Sequence, residues 1–280
     1  MARVAVIGDV GGHPGQLRDA LGALGADADG RHLPPDVTVV QVGDLVDRGP
    51  DSTAVLDLVR WYLDHQPERW IQLAGNHEAQ YLPGGTGFWP EQLAEPDVDL
   101  LRSWWAAGWL RVAVAIRCAD GEDLLVTHAG LTVGCWRELA EPATAAAAAR
   151  RLNQRPTPLI FRGGESVVDR AAGPFWAEAG WELHEPWLEH HARGGFVPFG
   201  QVHGHSQPVR FADRTWRCPG RVRQRATVDW AARHVRVRLG GRVFTAIDPK
   251  HGRTGAPQWS PLILDGAELL TPAQVTEPQP

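Results

Sequence analysis

Five apolar segments of this sequence are each followed by an aspartate, an asparagine or a histidine. They are residues 4–7 before Gly8-Asp9, residues 37–42 before Gly43-Asp44, residues 70–74 before Gly75-Asn76-His77-Glu78, residues 124–127 before His128-Ala129-Gly130, and residues 199–202 before His203-Gly204-His205. Carboxylate, amide and imidazole groups are ligands for divalent transition metals. Chance could supply one or two such endings, but five of them indicate that these side chains share one site.

The second of these endings carries the largest number of reactive side chains. Asp44, Asp47 and Arg48 follow residues 37–42, which have the pattern of a buried strand. Open α/β sheets usually place their ligand sites at the carboxyl ends of strands. Two carboxylates and a guanidinium in that position predict binding of a metal ion and a phosphate. For this stretch alone, the alternative is a polar loop that only turns the chain.

The elements that must position these residues alternate between strands and helices. Pro14 suits the first turn of a helix after the first strand, and Asp51 or Ser52 can cap a second helix. A strand-helix-strand order with a polar residue after each strand is typical of a βαβ fold. Further strands are predicted at residues 111–117, 123–127, 208–211, 226–229, 235–239 and 243–247.

The domain prediction is a single domain over residues 1–265, followed by a polar tail at residues 266–280. Within the domain, residues 132–195 show no clear strand pattern and are predicted to form an insert that could act as a lid. The tryptophans and histidines of this insert are expected to be packing and surface residues, with stacking on a nucleobase as the alternative.

Composition excludes several classes of function. The net charge of −5 and the pI near 6.2 argue against general nucleic-acid binding and against binding to an anionic membrane, because both favour a basic surface. The three cysteines have no metal-site spacing, which favours a reducing, cytoplasmic compartment. The single lysine, Lys250, is attributed to the codon bias of a GC-rich genome and predicts no mechanism.

In the order in which they occur, these motifs resemble those of the calcineurin-like metallophosphoesterases. The matching stretches are Gly8-Asp9, Gly43-Asp44-Leu45-Val46-Asp47-Arg48-Gly49, Gly75-Asn76-His77-Glu78, His128-Ala129-Gly130 and Gly204-His205-Ser206, and residues 228–231 with 240–246 are similar to a closing hairpin. The branch they resemble holds the phosphoprotein phosphatases and the symmetrical diadenosine tetraphosphate hydrolases. The resemblance implies a four-layer α/β/β/α sandwich with two mixed sheets.

The resemblance also implies two divalent metal ions at the strand ends, with Mn²⁺ expected and Fe or Zn as alternatives. Asp44 would bridge both ions, Asp9 would hold the first ion, and the second would be held by Asn76, His128 and His205. Two such ions can activate a water molecule and bind the phosphoryl oxygens.

Three further residues match the catalytic residues of the family. His77 would be the general acid, Asp47 would orient it, and Arg48 would bind the phosphate together with Asn76. One position departs from the pattern, because Gly11 stands where the family usually has a metal-binding histidine.

Three nearby residues are candidates to replace that missing ligand. The hypothesis favours His13, with His203 or Gln207 as further candidates. The alternative for His13 is a histidine that caps the following helix or faces solvent.

The predicted function is hydrolysis of a phosphate monoester, on a phosphoprotein or on a small phosphorylated metabolite, by a metal-activated water. The first alternative is a hydrolase of dinucleoside polyphosphates, and the second is a catalytically silent metal-binding homologue. The silent alternative does not account for His77, Asp47 and Arg48, since metal binding alone needs none of them. The predicted partner is a phosphorylated substrate, with no nucleic acid and no membrane.

Overall fold

The computed structural model describes residues 1–154, 172–251 and 258–270. Its strands are β1 (Arg3–Ile7), β2 (Val37–Gln41), β3 (Trp70–Leu73), β4 (Leu110–Arg111), β5 (Ala113–Arg117), β6 (Asp123–Thr127), β7 (Gly200–His203), β8 (Val209–Arg210), β9 (Thr215–Trp216), β10 (Ala226–Asp229), β11 (His234–Leu239), β12 (Arg242–Ala246), β13 (Leu262–Asp265) and β14 (Glu268–Leu269). Its α-helices are α1 (Pro14–Ala23), α2 (Ser52–His65), α3 (Asn76–Ala79), α4 (Glu95–Ala106), α5 (Val133–Glu138), α6 (Ala145–Gln154), α7 (Glu185–Ala192) and α8 (Gly220–Arg223). A π-helical turn, Ala179–His184, leads into α7.

The first sheet has the strand order β13-β1-β2-β3-β4. Strands β1 to β4 are parallel, and β13 joins the edge antiparallel to β1. Because parallel strands end at the same edge of a sheet, the residues that follow β1, β2 and β3 lie side by side. Those residues are the predicted metal and phosphate ligands.

The second sheet has the strand order β10-β11-β12-β7-β6-β5-β14. Strand β7 is parallel to both β6 and β12, and the other pairs are antiparallel. The carboxyl ends of β6 and β7 therefore also lie next to each other, and they carry His128 and His205.

The two sheets pack face to face, with helices on their outer faces. Alternate residues of β1 separate the two cores: Val4 and Val6 belong to the cluster between the sheets, and Ala5 and Ile7 belong to the cluster that contains the helices. Strand β6 contributes Val126 to the cluster between the sheets, and α6 packs on β5 and β6 from outside. This arrangement confirms the predicted α/β class with two mixed sheets.

Local signals in the sequence set the helix starts that were expected. Pro14 opens α1, and the Asp51 side chain caps α2 by accepting a hydrogen bond from the Ala54 amide at 2.8 Å. The strand predicted over residues 111–117 is divided, however. Arg111 pairs with β3 in the first sheet and Ala113 pairs with β6 in the second, so the chain changes sheets at the buried Val112.

The last described strand lies beyond residue 265, the predicted end of the domain. Strand β14 pairs antiparallel with β5 beyond the predicted end of the domain at residue 265, and Ala267 is buried. Residues 266–270 therefore belong to the fold, because they complete the edge of the second sheet. Residues 271–280 of the predicted tail lie outside the described residues.

The described part of the predicted insert consists of helices joined by turns and loops. Helices α5 and α6, the π-helical turn and α7 all fall within residues 132–195, and residues 155–171 of the insert lie outside the described residues. Among the described helices, none is both long and apolar enough to span a bilayer.

Candidate metal and phosphate site

The five predicted strand-end residues meet at one place between the two sheets. Asp9, Asp44 and Asn76 follow β1, β2 and β3, and His128 and His205 follow β6 and β7. All are buried except His205, which is partly exposed. The fold therefore brings these five residues to one place, and their roles as metal ligands stay a prediction.

A glycine at the end of β3 allows the two neighbouring loops to approach closely. A Cβ atom on Gly75 would lie 2.2 Å from an Asp44 carboxylate oxygen, a distance that no other residue type could tolerate. The absence of a side chain therefore lets the Asp44 carboxylate reach the start of α3. There Asp44 Oδ1 accepts a hydrogen bond from the His77 amide at 3.1 Å.

Four side chains turn their donor atoms toward one another. His128 Nε2 lies 2.9 Å from Asn76 Oδ1, 3.2 Å from His205 Nδ1 and 3.3 Å from Asp44 Oδ1. His205 Nδ1 is also 2.9 Å from Asn76 Oδ1. Among the described residues, Asp44, His128 and His205 are the one group of three His, Cys, Asp or Glu donors within 4.8 Å of one another. We refer to these three residues and Asn76 as the donor set.

The protonation of His128 shows that the donor set suits a cation. The other ring nitrogen, Nδ1, lies 3.0 Å from the carbonyl oxygen of Val42, which can only accept, so Nδ1 carries the proton. Burial lowers the pKa of His128, which leaves Nε2 as an unprotonated lone pair. This lone pair faces the oxygens of Asn76 and Asp44, and acceptors so arranged repel one another unless a cation lies between them. The residues present therefore fit a divalent ion.

Asp44 remains ionised although it is fully buried. Burial would raise the pKa of its carboxyl group, but the positive charge of the Arg48 guanidinium opposes burial and helps to hold the pKa below its usual range. Its Oδ2 atom accepts no hydrogen bond from the described part of the chain and lies 3.5 Å from the Arg48 Nη2 atom. The second carboxylate oxygen is thus available to an additional cation.

His77 lies beside the donor set and forms a buried pair with Asp47. Its Nδ1 atom is 2.7 Å from Asp47 Oδ2, and its Nε2 atom is 3.9 Å from Asp44 Oδ2. Because the Asp47 carboxylate can only accept, His77 Nδ1 donates to it. Gln80 Nε2 donates to the same Asp47 oxygen at 2.8 Å, which fixes the carboxylate in place.

Arg48 covers the remaining nitrogen of His77. The Nε and Nη2 atoms of Arg48 lie 3.2 and 2.9 Å from His77 Nε2, so the guanidinium donates and the imidazole accepts. In this arrangement His77 has no proton on Nε2. An anion that draws the guanidinium away would free that nitrogen.

The loop that carries these residues is strained. Asp44, Asp47 and Arg48 have φ angles of 54°, 67° and 59°, in the left-handed region that costs non-glycine residues about 1 kcal/mol or more each. Such backbone persists only where surrounding contacts hold it.

Glu78 supplies those contacts, and the sequence analysis assigned it no role. Its carboxylate accepts backbone hydrogen bonds at 2.7–3.3 Å, from the amides of Asp44, Leu45, Val46 and Gly75. Burial and the neighbouring Asp44 raise the pKa of Glu78 to about 7, although these donors oppose the shift. Glu78 is the third residue of α3, and from there its side chain reaches back to the amide of Gly75, the residue before the helix.

The three residues suggested as replacement ligands do not join the donor set. His13 sits at the start of α1, where its ring lies 4.8 Å from that of His251. His203 turns its nitrogens to the Gly204 carbonyl at 3.0 Å and to His184 at 3.4 Å, and burial lowers its pKa to about 4. Gln207 donates through Nε2 to two backbone carbonyls. A role of these three residues beside Asp9 stays a prediction.

Three aromatic side chains border the site. Phe88 and Trp89 each lie edge-on to the His77 ring at 5.0 Å, and Trp176 lies 5.0 Å from Phe88 and 6.3 Å from His205. Phe88 is 43% exposed, so the group reaches the surface. We call these three residues the aromatic rim.

Comparison with known proteins identifies relatives by sequence and by fold. A family model described as calcineurin-like phosphoesterase matches residues 2–230. A symmetrical bis(5'-nucleosyl)-tetraphosphatase from Photorhabdus laumondii subsp. laumondii is 32% identical over 135 residues, which span 45% of this chain and 44% of that protein. This chain thus matches less than half the length of that relative.

Solved structures give a likeness of fold. A cold-active protein tyrosine phosphatase from a psychrophilic Shewanella species has a TM-score of 0.54 at 16% identity, with 97% of this chain and 81% of that chain covered. A point mutant of a cold-active protein tyrosine phosphatase gives the same TM-score and coverage at 17% identity.

Proposed function

We propose, on the premise that this chain belongs to the calcineurin-like phosphoesterase family, that it is a metal-dependent hydrolase of phosphate monoesters. The substrate would be a phosphoprotein or a small phosphorylated metabolite. The observation that carries the proposal is the donor set with the His77–Asp47 pair beside it, its His77 Nε2 atom 3.9 Å from Asp44 Oδ2. Metal binding alone would need no such pair.

We expect the donor set to hold Mn²⁺, since it combines carboxylate and amide oxygens with imidazole nitrogens. When bound, such an ion supplies Lewis-acid stabilisation of the phosphoryl oxygens and acidifies water. His128 is prepared for this role because its hydrogen bond to the Val42 carbonyl fixes the tautomer whose Nε2 faces the other donors.

Arg48 would bind the phosphate and so prepare His77 for catalysis. Its planar fork of donors matches a phosphate, and a lysine could not reproduce that geometry. When the guanidinium turns to the anion, His77 Nε2 loses its donor and can take up a proton. The imidazolium would then give this proton to the leaving oxygen, while Asp47, 2.7 Å from Nδ1, stabilises its positive charge.

Hydrolysis of p-nitrophenyl phosphate tests the proposal. We expect the folded protein to release p-nitrophenol with added Mn²⁺ and to stop when EDTA is added, and the Asp44→Asn variant to be inactive. The absence of turnover with Mn²⁺, Fe²⁺ or Zn²⁺, in protein shown to be folded by circular dichroism, would favour the silent homologue instead.

The aromatic rim favours a second candidate, a hydrolase of dinucleoside polyphosphates. Phe88, Trp89 and Trp176 offer apolar faces next to His77 on which an adenine could stack. The similarity to a symmetrical tetraphosphatase points in the same direction. Product analysis with diadenosine tetraphosphate separates the candidates, because rapid release of ADP contradicts an enzyme dedicated to monoesters.

A cytoplasmic location is part of the proposal. Cys118, Cys135 and Cys218 are all free in the structure, which suits a reducing compartment. Burial raises the pKa of each thiol, to about 11 or 12, so none is prepared for nucleophilic chemistry.

A further inference from the structure

The expected site of the first metal ion, beside Asp9, lacks one of the ligands that the resemblance implies. Gly11, with a φ of 51°, stands where the resemblance leads us to expect a histidine ligand. Asp9 is not part of the convergent group found among the described residues, and both its oxygens accept from the His205 amide, at 3.0 and 3.2 Å. Within residues 1–154, 172–251 and 258–270, the donor set is the group of three such side chains whose donor atoms already converge, and Asp9 stands outside it.

A second buried carboxylate faces this position. The backbone from Ile247 to Pro249 crosses directly over Gly8, where a Cβ atom would lie 2.3 Å from the Ile247 carbonyl oxygen. This crossing brings Asp248, which is fully buried, next to Asp9. Burial raises the pKa of Asp9, and the negative charges of Asp248 and Asp44 raise it further. Three buried carboxylates in one place require positive charge nearby.

Lys250 supplies part of that charge. Its Nζ atom lies 2.8 Å from Asp248 Oδ2 and donates a hydrogen bond to the His205 carbonyl at 2.6 Å. The opposite end of the same residue, the His205 amide, binds Asp9. The ammonium is therefore bound at both Asp248 and the segment that carries the Asp9 partner.

The Lys250 ammonium also has capacity for a ligand. An ammonium has three N–H donors, and Asp248 and the His205 carbonyl use two of them. The side chain is 38% exposed, so solvent and a bound anion can reach it. A compact ammonium on a flexible stem can direct its third donor at a phosphoryl oxygen.

We propose, building on the proposed phosphoesterase function, that Lys250 takes the place of the first metal ion. The chain would hold one divalent ion, at the donor set, and the Lys250 ammonium on Asp248 would supply the second positive charge that opposes the phosphate. Arg48 would complete the anion site from the other side. Lys250 is then a substrate-binding residue of a one-metal phosphoesterase.

Counting bound metal tests this directly, without reference to activity. Equilibrium dialysis against Mn²⁺, followed by mass spectrometry of the metal, is expected to give one ion per wild-type chain. In the Lys250→Met variant, the carboxylates of Asp9 and Asp248, no longer neutralised by the ammonium, are expected to bind a second ion. The Arg117→Met variant is the matched control, because Arg117 forms an equally close exposed pair with Asp123 at the opposite end of β6. It should bind one ion.

Binding of inorganic phosphate is the second measurement. Calorimetry with Mn²⁺-loaded protein is expected to show about 5- to 10-fold weaker binding in Lys250→Met, the loss of roughly one partly solvated charge contact. Lys250→Arg should recover part of that loss, and Arg117→Met should bind phosphate as the wild type does.

Two results would overturn the inference. One is wild-type protein that binds two Mn²⁺ ions with similar affinity, and the other is an unchanged phosphate affinity in Lys250→Met. If Lys250→Met does not fold, the number of Mn²⁺ ions bound by the wild type and the phosphate affinity of Lys250→Arg still test the inference. The proposed function fails separately, when wild-type protein with one bound ion and the expected phosphate affinities hydrolyses no phosphate ester.

Discussion

Removal of the His77 imidazole should slow hydrolysis most for esters whose leaving group is basic and must be protonated as it departs. In His77→Ala, the chain loses the side chain whose Nε2 atom lies next to Asp44 and whose Nδ1 atom is held by Asp47. General acid catalysis contributes about 10²–10⁴ in rate, or about 2.7–5.4 kcal/mol of barrier. We expect a loss of that size with phenyl phosphate or glycerol phosphate. With p-nitrophenyl phosphate, whose anion leaves without protonation, we expect a loss below about tenfold.

Metal content should not change in this variant. The His77 nitrogens point to Asp47 and to Arg48, and neither faces the centre of the donor set. The assay is therefore kcat on both classes of ester, with bound Mn²⁺ counted in the same preparation. Asp47→Asn serves as the companion variant, because it keeps the size of the side chain and removes the charge that stabilises the imidazolium. It should show the same leaving-group dependence in weaker form.

Two outcomes would refute this reasoning in different ways. An equal loss of kcat on both classes of ester, with metal retained, would show that His77 positions the substrate and does not donate a proton. A loss of metal that parallels the loss of kcat would make His77 a ligand. His65→Ala, on the exposed end of α2, should leave both measurements unchanged.

Three further predictions concern metal binding and stability. His128→Ala should weaken Mn²⁺ binding at least about 100-fold by calorimetry, because losing even a hydrogen-bond partner of a metal ligand lowers metal affinity by about 10- to 100-fold. Glu78→Gln should lower the free energy of unfolding in urea by about 2–4 kcal/mol, because an amide leaves buried N–H groups without an acceptor; the exposed Glu68→Gln should change it by less than about 0.5 kcal/mol. Burial lowers the pKa of His203 to about 4, so its contribution to stability is present above about pH 6.5 and falls toward pH 4. In EDTA, His203→Gln should therefore lose about 2 kcal/mol less stability than the wild type between pH 7.5 and 5.

The strand-end residues could be predicted because their signal is local. An apolar run followed by a polar residue specifies a strand and its carboxyl end, and parallel pairing then brings Asp9, Asp44 and Asn76 to one edge. The resemblance added the second sheet, from which His128 and His205 complete the donor set. These residues needed no knowledge of contacts between distant parts of the chain.

Asp248 and Lys250 could not be found in the same way. They lie after β12, in a segment whose position depends on the Ile247 amide binding the His203 carbonyl and on close packing against Gly8. No periodicity or motif marks that contact, and a single lysine was consistent with composition alone. For His13, the ring packs against His251 at 4.8 Å, and its role as a ligand of the first ion stays a prediction.

The importance of Glu78 depends on backbone strain, which a sequence pattern does not show. Asp44, Asp47 and Arg48 adopt left-handed backbone on a loop that would relax if it were free. Glu78 binds the amides on both sides of Asp44, and Ser52 Oγ accepts from the Asp47 amide at 2.9 Å. These hydrogen bonds offset the strain. They hold Asp44, which belongs to the donor set, Asp47, which binds His77, and Arg48, which would bind the phosphate, in one short segment. The Glu78 carboxylate acts on the site through the backbone amides that it binds, including the amide of Asp44. A conservative change at Glu78 should therefore disturb metal binding and the position of His77 together.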